Sequence, residues 1–317
     1  MKRICRYVVI VVMVLGFVGC TKEDGFVSQG NLKDTPIDIA SVGVTDLTTR
    51  LTIVDDKLIE GNMGVTITSD NSDDRYRGIA IRWYYLGNEW KICEGEKVVV
   101  FEDNGNSQKI FAYFPYAKDI IEGTMSLPVN LPFVYGGNFE DYDYLYTAEA
   151  VALSENPIGL TLKHAFSKVS VYFVDMGSDV EGDVVDEVAL VDVPLAGRRS
   201  AITGAMNPNE YDFYRTMVLY GFDEQMDEDD NVDEADGADY YVGYVFPNAA
   251  IVLCIRVTMR SGRVFTAKAS ISGGLTDGVH YKIGLKLGKD GVSVLGVCVV
   301  DWNEVVIDGG VAKEVTN

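Results

Sequence analysis

Apolar and polar positions alternate along most of this chain in short runs, each cut off by turn-forming residues. Leu51-Thr52-Ile53-Val54 and Val65-Thr66-Ile67-Thr68 are β-branched and alternate. Ile79 to Tyr85 is a strand-like run that ends at Gly87-Asn88, and Lys97 to Glu102 is another, closed by Asp103-Asn104-Gly105-Asn106. Ile110 to Tyr116 follows and is stopped by Pro115. Successive side chains of a strand point to opposite faces, so a period of two rich in β-branched and aromatic residues predicts half-buried strands. Turn residues at intervals of about 8–12 positions are the pattern of a sandwich or barrel. No sustained 3.6-residue apolar period follows the first two dozen residues, so helices should be few and short.

The middle of the chain is less regular. Met125 to Asp143 holds Pro128, Pro132 and Gly136-Gly137 and reads as a long connection with room for a helical turn. Tyr144 to Leu153 is strand-like, and Ser154 to Pro157 is a turn. Leu160, Leu162, His164 and Phe166 then share one face, after which Val169, Val171 and Phe173 carry the apolar parity. A one-residue shift of that kind requires a bulge or bend, here near Ser167-Lys168. A new run of strands starts near Leu160 and continues to the end, which places a domain boundary there. Ile251–Met259, Val264–Ile271, Val279–Leu287 and Val292–Val300 are its last strands. Ser261-Gly262 and Lys289-Asp290-Gly291 join them as hairpin turns.

The N-terminus is of a different kind. Lys2, Arg3 and Arg6 precede an apolar run from Tyr7 to Val18, the arrangement of a secretory signal. The run is shorter than the ~20 apolar residues that a membrane-spanning helix needs. Cys20 follows it in a setting that resembles a bacterial lipobox, whose thiol is acylated and becomes the new N-terminus. Phe17 stands where such motifs usually have Leu. The alternative is an ordinary signal with an incidental cysteine. Residues 1–19 are accordingly expected to be removed, Cys20 to carry lipid, and residues 20–36 to form a tether. Lys22-Glu23-Asp24 resembles the signal that directs some lipoproteins to the outer face of the outer membrane.

Removing 19 of 317 residues leaves 298, enough for two domains, each with its own core. The removed segment holds three basic residues and no acidic ones, so a formal charge of −21 becomes −24. A surface this acidic repels phosphate backbones and anionic headgroups, which argues against nucleic acid as a partner. Of five cysteines, Cys93, Cys254 and Cys298 remain in the body of the chain. Cys254 and Cys298 lie in apolar runs and are expected to be small buried hydrophobes. An odd number without CxxC spacing argues against a dedicated disulfide framework, although one bridge among the three is open.

Chemical motifs are sparse. His164 lies on an inward parity, where a hydrogen-bonded core histidine is expected, and His280 starts a strand with no Cys or His beside it. No nucleophile elbow or glycine-rich phosphate loop is present, so no catalytic residue, cofactor or metal ligand is assigned and no enzyme is expected. Asp227 to Asp233 begins like a calcium loop, but Val232 stands at the sharp-turn glycine and Ala238 at the bidentate glutamate, so a solvated loop is the better reading. Trp83 and Trp90 could form a sugar platform, although aromatics at strand spacing more often pack inside a sheet.

Several segments together resemble one family, the fimbrillin-like (Mfa-like) lipoproteins that serve as subunits of type V pili. They are Phe111 to Tyr116, Asp143 to Tyr146, Leu162 to Val169, Tyr244-Val245-Phe246-Pro247, Gly278-Val279-His280-Tyr281, and Val299, Asp301 and Trp302. The resemblance implies two tandem transthyretin-like β-sandwich domains, over residues 37–159 and 160–317, behind the lipoprotein signal peptide. It also implies a structural or adhesive role in a surface pilus (fimbrium) and assembly by strand donation, in which a maturation protease removes an N-terminal strand and a neighbouring subunit fills the groove. Cleavage is then expected after a basic residue, with the Arg50–Leu51 bond as the best-placed position and Lys33 second. The tail from Val305 to Asn317, with Val292 to Val300 before it, is the expected donor. The alternatives are an anchor subunit that keeps its lipid and a surface glycan-binding lipoprotein.

Overall fold

The structure is a computed structural model that describes residues 35–45, 53–54, 57–58, 60–68, 80–96, 98, 100, 109–117, 126–147, 151–152, 156–176, 182–208, 214–222, 240–247, 252–288, 291–300 and 302. In chain order the first strands are β1 (Ile39–Val44), β2 (Ile53–Val54), β3 (Lys57–Leu58), β4 (Asn62–Thr68), β5 (Ala80–Leu86), β6 (Glu89–Ile92) and β7 (Lys109–Phe114). They are followed by β8 (Ser126–Asn130), β9 (Leu145–Thr147), β10 (Val151–Ala152) and β11 (Ile158–His164). The later ones are β12 (Ser167–Met176), β13 (Val185–Pro194), β14 (Ala196–Ser200), β15 (Met206–Pro208), β16 (Tyr214–Val218) and β17 (Tyr220–Phe222). The last are β18 (Tyr240–Val245), β19 (Val252–Met259), β20 (Val264–Ser270), β21 (His280–Gly288) and β22 (Gly291–Val300). Among the described residues the helical content is a four-residue 3-10 turn, Phe139–Tyr142. The all-β expectation holds.

The strands make four sheets around two cores. The first runs β2-β3-β1-β11-β9-β7-β4-β5-β6, with β10 beside β7. It curls until β6 touches β1, and it encloses Ile39, Val42, Trp83, Trp90, Ile110 and Leu160 among others. In the β5–β6 hairpin, Gly87 (φ 63°) and Asn88 (φ 68°) both have positive φ, the backbone that two-residue turns demand. The second core lies between the sheets β17-β18-β12-β21-β22 and β16-β13-β19-β20. Val169, Val171, Ile283, Val188, Leu190 and Ile255 fill it, the alternate positions of their strands. The last four strands fall within two residues of their expected bounds.

The shift of parity after His164 marks a change of sheet. β11 belongs to the first sheet and β12 to the second core, and the bend between them is Ala165-Phe166, just before the expected Ser167-Lys168. Residue 160 therefore lies inside β11, and the segment 126–135 packs its Leu127, Val129, Leu131 and Tyr135 into the second core. Within the stretch expected to be a connection, β8 pairs with β14 and makes the outer strand of the sheet β15-β14-β8. Pro128, which has no N–H, is tolerated because that strand is an edge. Cys93 is buried, with Arg82 Nε donating to its Sγ at 3.0 Å. Cys254 and Cys298 are only half-buried, contrary to expectation, because Cys254 takes the outward parity of β19 and Cys298 sits on an edge strand. Among the described residues none of the three forms a disulfide.

Arg199 ties the two cores together. It comes from β14, is completely buried, and donates from Nη1 to the carbonyls of Phe114 and Leu145, each at 3.2 Å. Its guanidinium lies 5.1 Å and 4.8 Å from the ring centroids of Tyr113 and Tyr144. Burial pushes its pKa down to about 10, which leaves it charged at neutral pH. The following turn closes on the first half at Gly204, where a Cβ would stand 1.8 Å from the Tyr146 ring. Arg199→Ala should cost about 3 kcal/mol, because it removes a buried charge from the carbonyl acceptors and rings arranged around it. Chemical denaturation measures this, and an unchanged midpoint would show that Arg199 does not join the halves.

Candidate functional site: the slot that holds the first strand

β1 is the first strand of the described chain, and it is inserted rather than appended. It runs parallel to β11, and Gly43 pairs on its other side with Lys57 of β3. A parallel pair needs a long crossover, and here the partners are more than a hundred positions apart: the Asp38 N–H donates to Asn156 Oδ1, 118 residues away, at 2.8 Å. Asn156 also donates from Nδ2 to the Pro36 carbonyl at 3.0 Å, so one amide side chain grips both sides of Ile37. Ile158 N donates to Asp38 O at 2.8 Å, and at the far end Thr45 donates from its N at 2.8 Å and from Oγ1 at 3.2 Å to Leu162 O.

The inward side chains are Ile37, Ile39, Val42 and Val44, none more than 5% exposed. A bulge between Ile39 and Ser41 lets Ile39 and Val42 point the same way although three positions separate them. The magnitudes show how firmly the strand is held. Burying the three apolar side chains within β1 contributes roughly 4–9 kcal/mol, and ordering its six residues costs about 6–12 kcal/mol of backbone entropy. The two nearly cancel. The ladder hydrogen bonds and the covalent attachment to the rest of the chain add to a seating that burial alone holds by a narrow margin.

The far end of β11 meets a buried polar cluster. His164 Nδ1 lies 2.8 Å from Asp143 Oδ1, with both side chains essentially inaccessible. The imidazole stacks on Trp302 at 4.0 Å between centroids. It is the hydrogen-bonded core histidine expected from parity. His280 is likewise internal, 2.7 Å through Nε2 from Ser170 Oγ. Nearby, Lys163 Nζ and Asp277 pair at 2.9 Å, and Tyr146 Oη donates to the same carboxylate. Among the described residues no cluster of His, Cys, Asp or Glu is spaced to hold a metal ion.

Cys20, Lys33, Arg50, Leu51, the acidic run 227–233 and the tail 305–317 lie outside the described residues. Their neighbours do locate the candidate cleavage position along the chain: β1 ends at Val44 and β2 begins at Ile53, so Arg50-Leu51 falls between the inserted strand and the next one. Val292–Val300 is a strand of its own sheet, paired with β21 along its length. Trp83 and Trp90, each 2% exposed, pack in the first core and offer no sugar platform. β1 and Asn156 were not read as functional from the sequence. The alternation Ile37, Ile39, then Val42, Val44 was visible, but the bulge breaks its period.

The fold defines an all-β sandwich protein whose first sheet is completed by an N-terminal strand. The profile of the fimbrillin-like family matches residues 49–302, and the chain belongs to that family. Two solved structures share the fold. A candidate cell adhesion protein from Bacteroides ovatus superposes with a TM-score of 0.62 at 17% identity, over 87% of this chain and 99% of that one. A second, from Bacteroides uniformis, gives 0.58 at 17% identity over 83% and 98%. The tip fimbrial protein Mfa3 from Porphyromonas gingivalis gives 0.45 at 12% identity over 77% and 94%. A comparison with curated proteins gives no match.

Asn156→Ala removes two hydrogen bonds from the entry of β1 and should cost about 1–2 kcal/mol. Amide exchange at Asp38, Ile39 and Ile158 should quicken while β19 and β20 stay protected. Unchanged exchange at Asp38 would mean that Asn156 does not seat the strand.

Proposed function

We propose that the chain is a structural subunit of a cell-surface fimbrium, exported as a lipoprotein and joined to other subunits by strand donation. In this reading Cys20 carries the lipid that holds the precursor in the outer membrane, a maturation protease cuts after Arg50, and β1 leaves its slot to a strand of a neighbour. The body is read as two tandem β-sandwich domains of the transthyretin-like kind, meeting at the β11–β12 bend. Family membership supports the fimbrial role, since the fimbrillin-like family is one of structural subunits and not of enzymes.

The observation that carries the assembly reading is the position of β1. It is a single inserted strand, its own burial nearly balances its ordering, and the candidate cleavage bond follows it by six residues. An emptied slot leaves Leu160 and Leu162 uncovered and the backbone edge of β11 unpaired, and a donated strand satisfies both at once. β22 is engaged in its own ladder, so the donor is assigned to the tail Val305–Asn317, which contains Val305-Val306-Ile307.

Treating the purified full chain with an arginine-specific protease should cut it at Arg50–Leu51 and produce ladders that resist SDS. Arg50→Ala should stay uncut at that bond and monomeric. A chain cut there that never forms ladders, even at high concentration, would contradict assembly by strand donation and leave the anchor role.

A further inference from the structure

Trp302 stands two residues past the end of β22, where the chain leaves its last strand. Only 2% of its surface is exposed. Its ring stacks on His164 (14° between planes) and on Tyr244 (8°, centroids 5.8 Å apart). Its carbonyl accepts a hydrogen bond from the buried Lys168 Nζ at 3.1 Å. The root of the C-terminal tail is therefore fixed to the end of β11 and the start of β12, and Asp143 in turn holds His164.

The same strand β11 carries the slot. Among the described residues β9 reaches just three positions of β11, Leu162, Lys163 and His164. For Ile158 to Thr161, β1 is the only ladder partner among the described residues. Leu162, whose carbonyl takes both Thr45 donors, and His164 share a face two positions apart. With β1 gone, over half of β11 has lost its ladder, and His164 is held by the three residues paired with β9, by Asp143 and by the hydrogen bond from Ala165 N to Tyr144 O.

We propose that Trp302 is a latch on the C-terminal tail whose hold depends on β1 being seated. β1 in place keeps the tail root docked, and an empty slot loosens it. The coupling is reciprocal, so loosening Trp302 also weakens β1. Its use in assembly, where the latch restrains the tail of an unprocessed chain, rests on the strand-donation reading, but the coupling itself does not.

The test uses the full chain with a site-specific protease sequence placed between residues 46 and 51, so it does not depend on Arg50. Hydrogen exchange of Val300 and Trp302 is compared in the intact protein and after cutting and removal of the N-terminal fragment. Exchange should rise by roughly 5- to 150-fold, the range usual for coupled sites, while β4 and β7 stay protected. In His164→Ala, exchange at Trp302 should be fast with or without β1. If that variant does not fold, Lys168→Met should give a smaller loosening in the same direction. Equal exchange at Trp302 before and after removal of β1 would overturn the proposal. Loss of protection throughout β4 and β7 would also overturn it, since release would then be unfolding of the first core. A synthetic peptide of residues 303–317 added to the emptied chain separates the two readings. If Trp302 loosens but the peptide does not bind, strand donation fails and the latch stands. If the peptide binds with no change at Trp302, the latch alone fails.

Discussion

The parallel pairing of β1 with β11 is the contact on which the arrangement of the first half depends. β11 is central in the first sheet, yet only three of its residues are held by β9. The rest of its ladder comes from a strand more than a hundred residues earlier in the chain. A strand joined by a tight hairpin is kept in register by its turn, whereas β1 is kept by hydrogen bonds to Asn156, Ile158 and Leu162 and by four apolar side chains. Those are all contacts that another strand of similar pattern can make.

The two cores are not independent bodies on a string. β8 leaves the first half to pair with β14, and Arg199 returns from β14 to two carbonyls of the first half. The bend at Ala165-Phe166 lies between them, flanked by His164 on one side and Lys168 on the other, and both residues converge on Trp302. A buried guanidinium among tyrosine rings and an imidazole under an indole are specific contacts with little tolerance for sliding. They are the contacts through which, in the proposed latch, displacement of β1 would reach the root of the tail.

Much of this was legible in the sequence wherever alternation was uninterrupted. β19, β20, β21 and β22 follow their apolar patterns closely, and His164 was readable as internal because it shares parity with Leu160 and Leu162. Interruptions hid the rest. Pro128 disguised β8, since a proline inside a strand is acceptable only at an edge and the edge is set by a distant partner. One extra residue at Ala40 broke the period of β1. Arg198 and Arg199 are neighbours of one residue type, one exposed and one completely buried, and nothing local separates them. Only the approach of Tyr113, Tyr144 and two carbonyls does. The slot itself is a property of long-range pairing, which a linear pattern does not carry.

The central claim is that the first strand of the mature subunit is supplied by a neighbour and not by the subunit itself. The most direct measurement is the intact mass and N-terminal sequence of subunits recovered from fibres on the cell surface. The account predicts a chain that begins at Leu51 and has lost β1 together with the lipid on Cys20. A polymerised chain that still begins at acylated Cys20, with Ile39 to Val44 present, would contradict it.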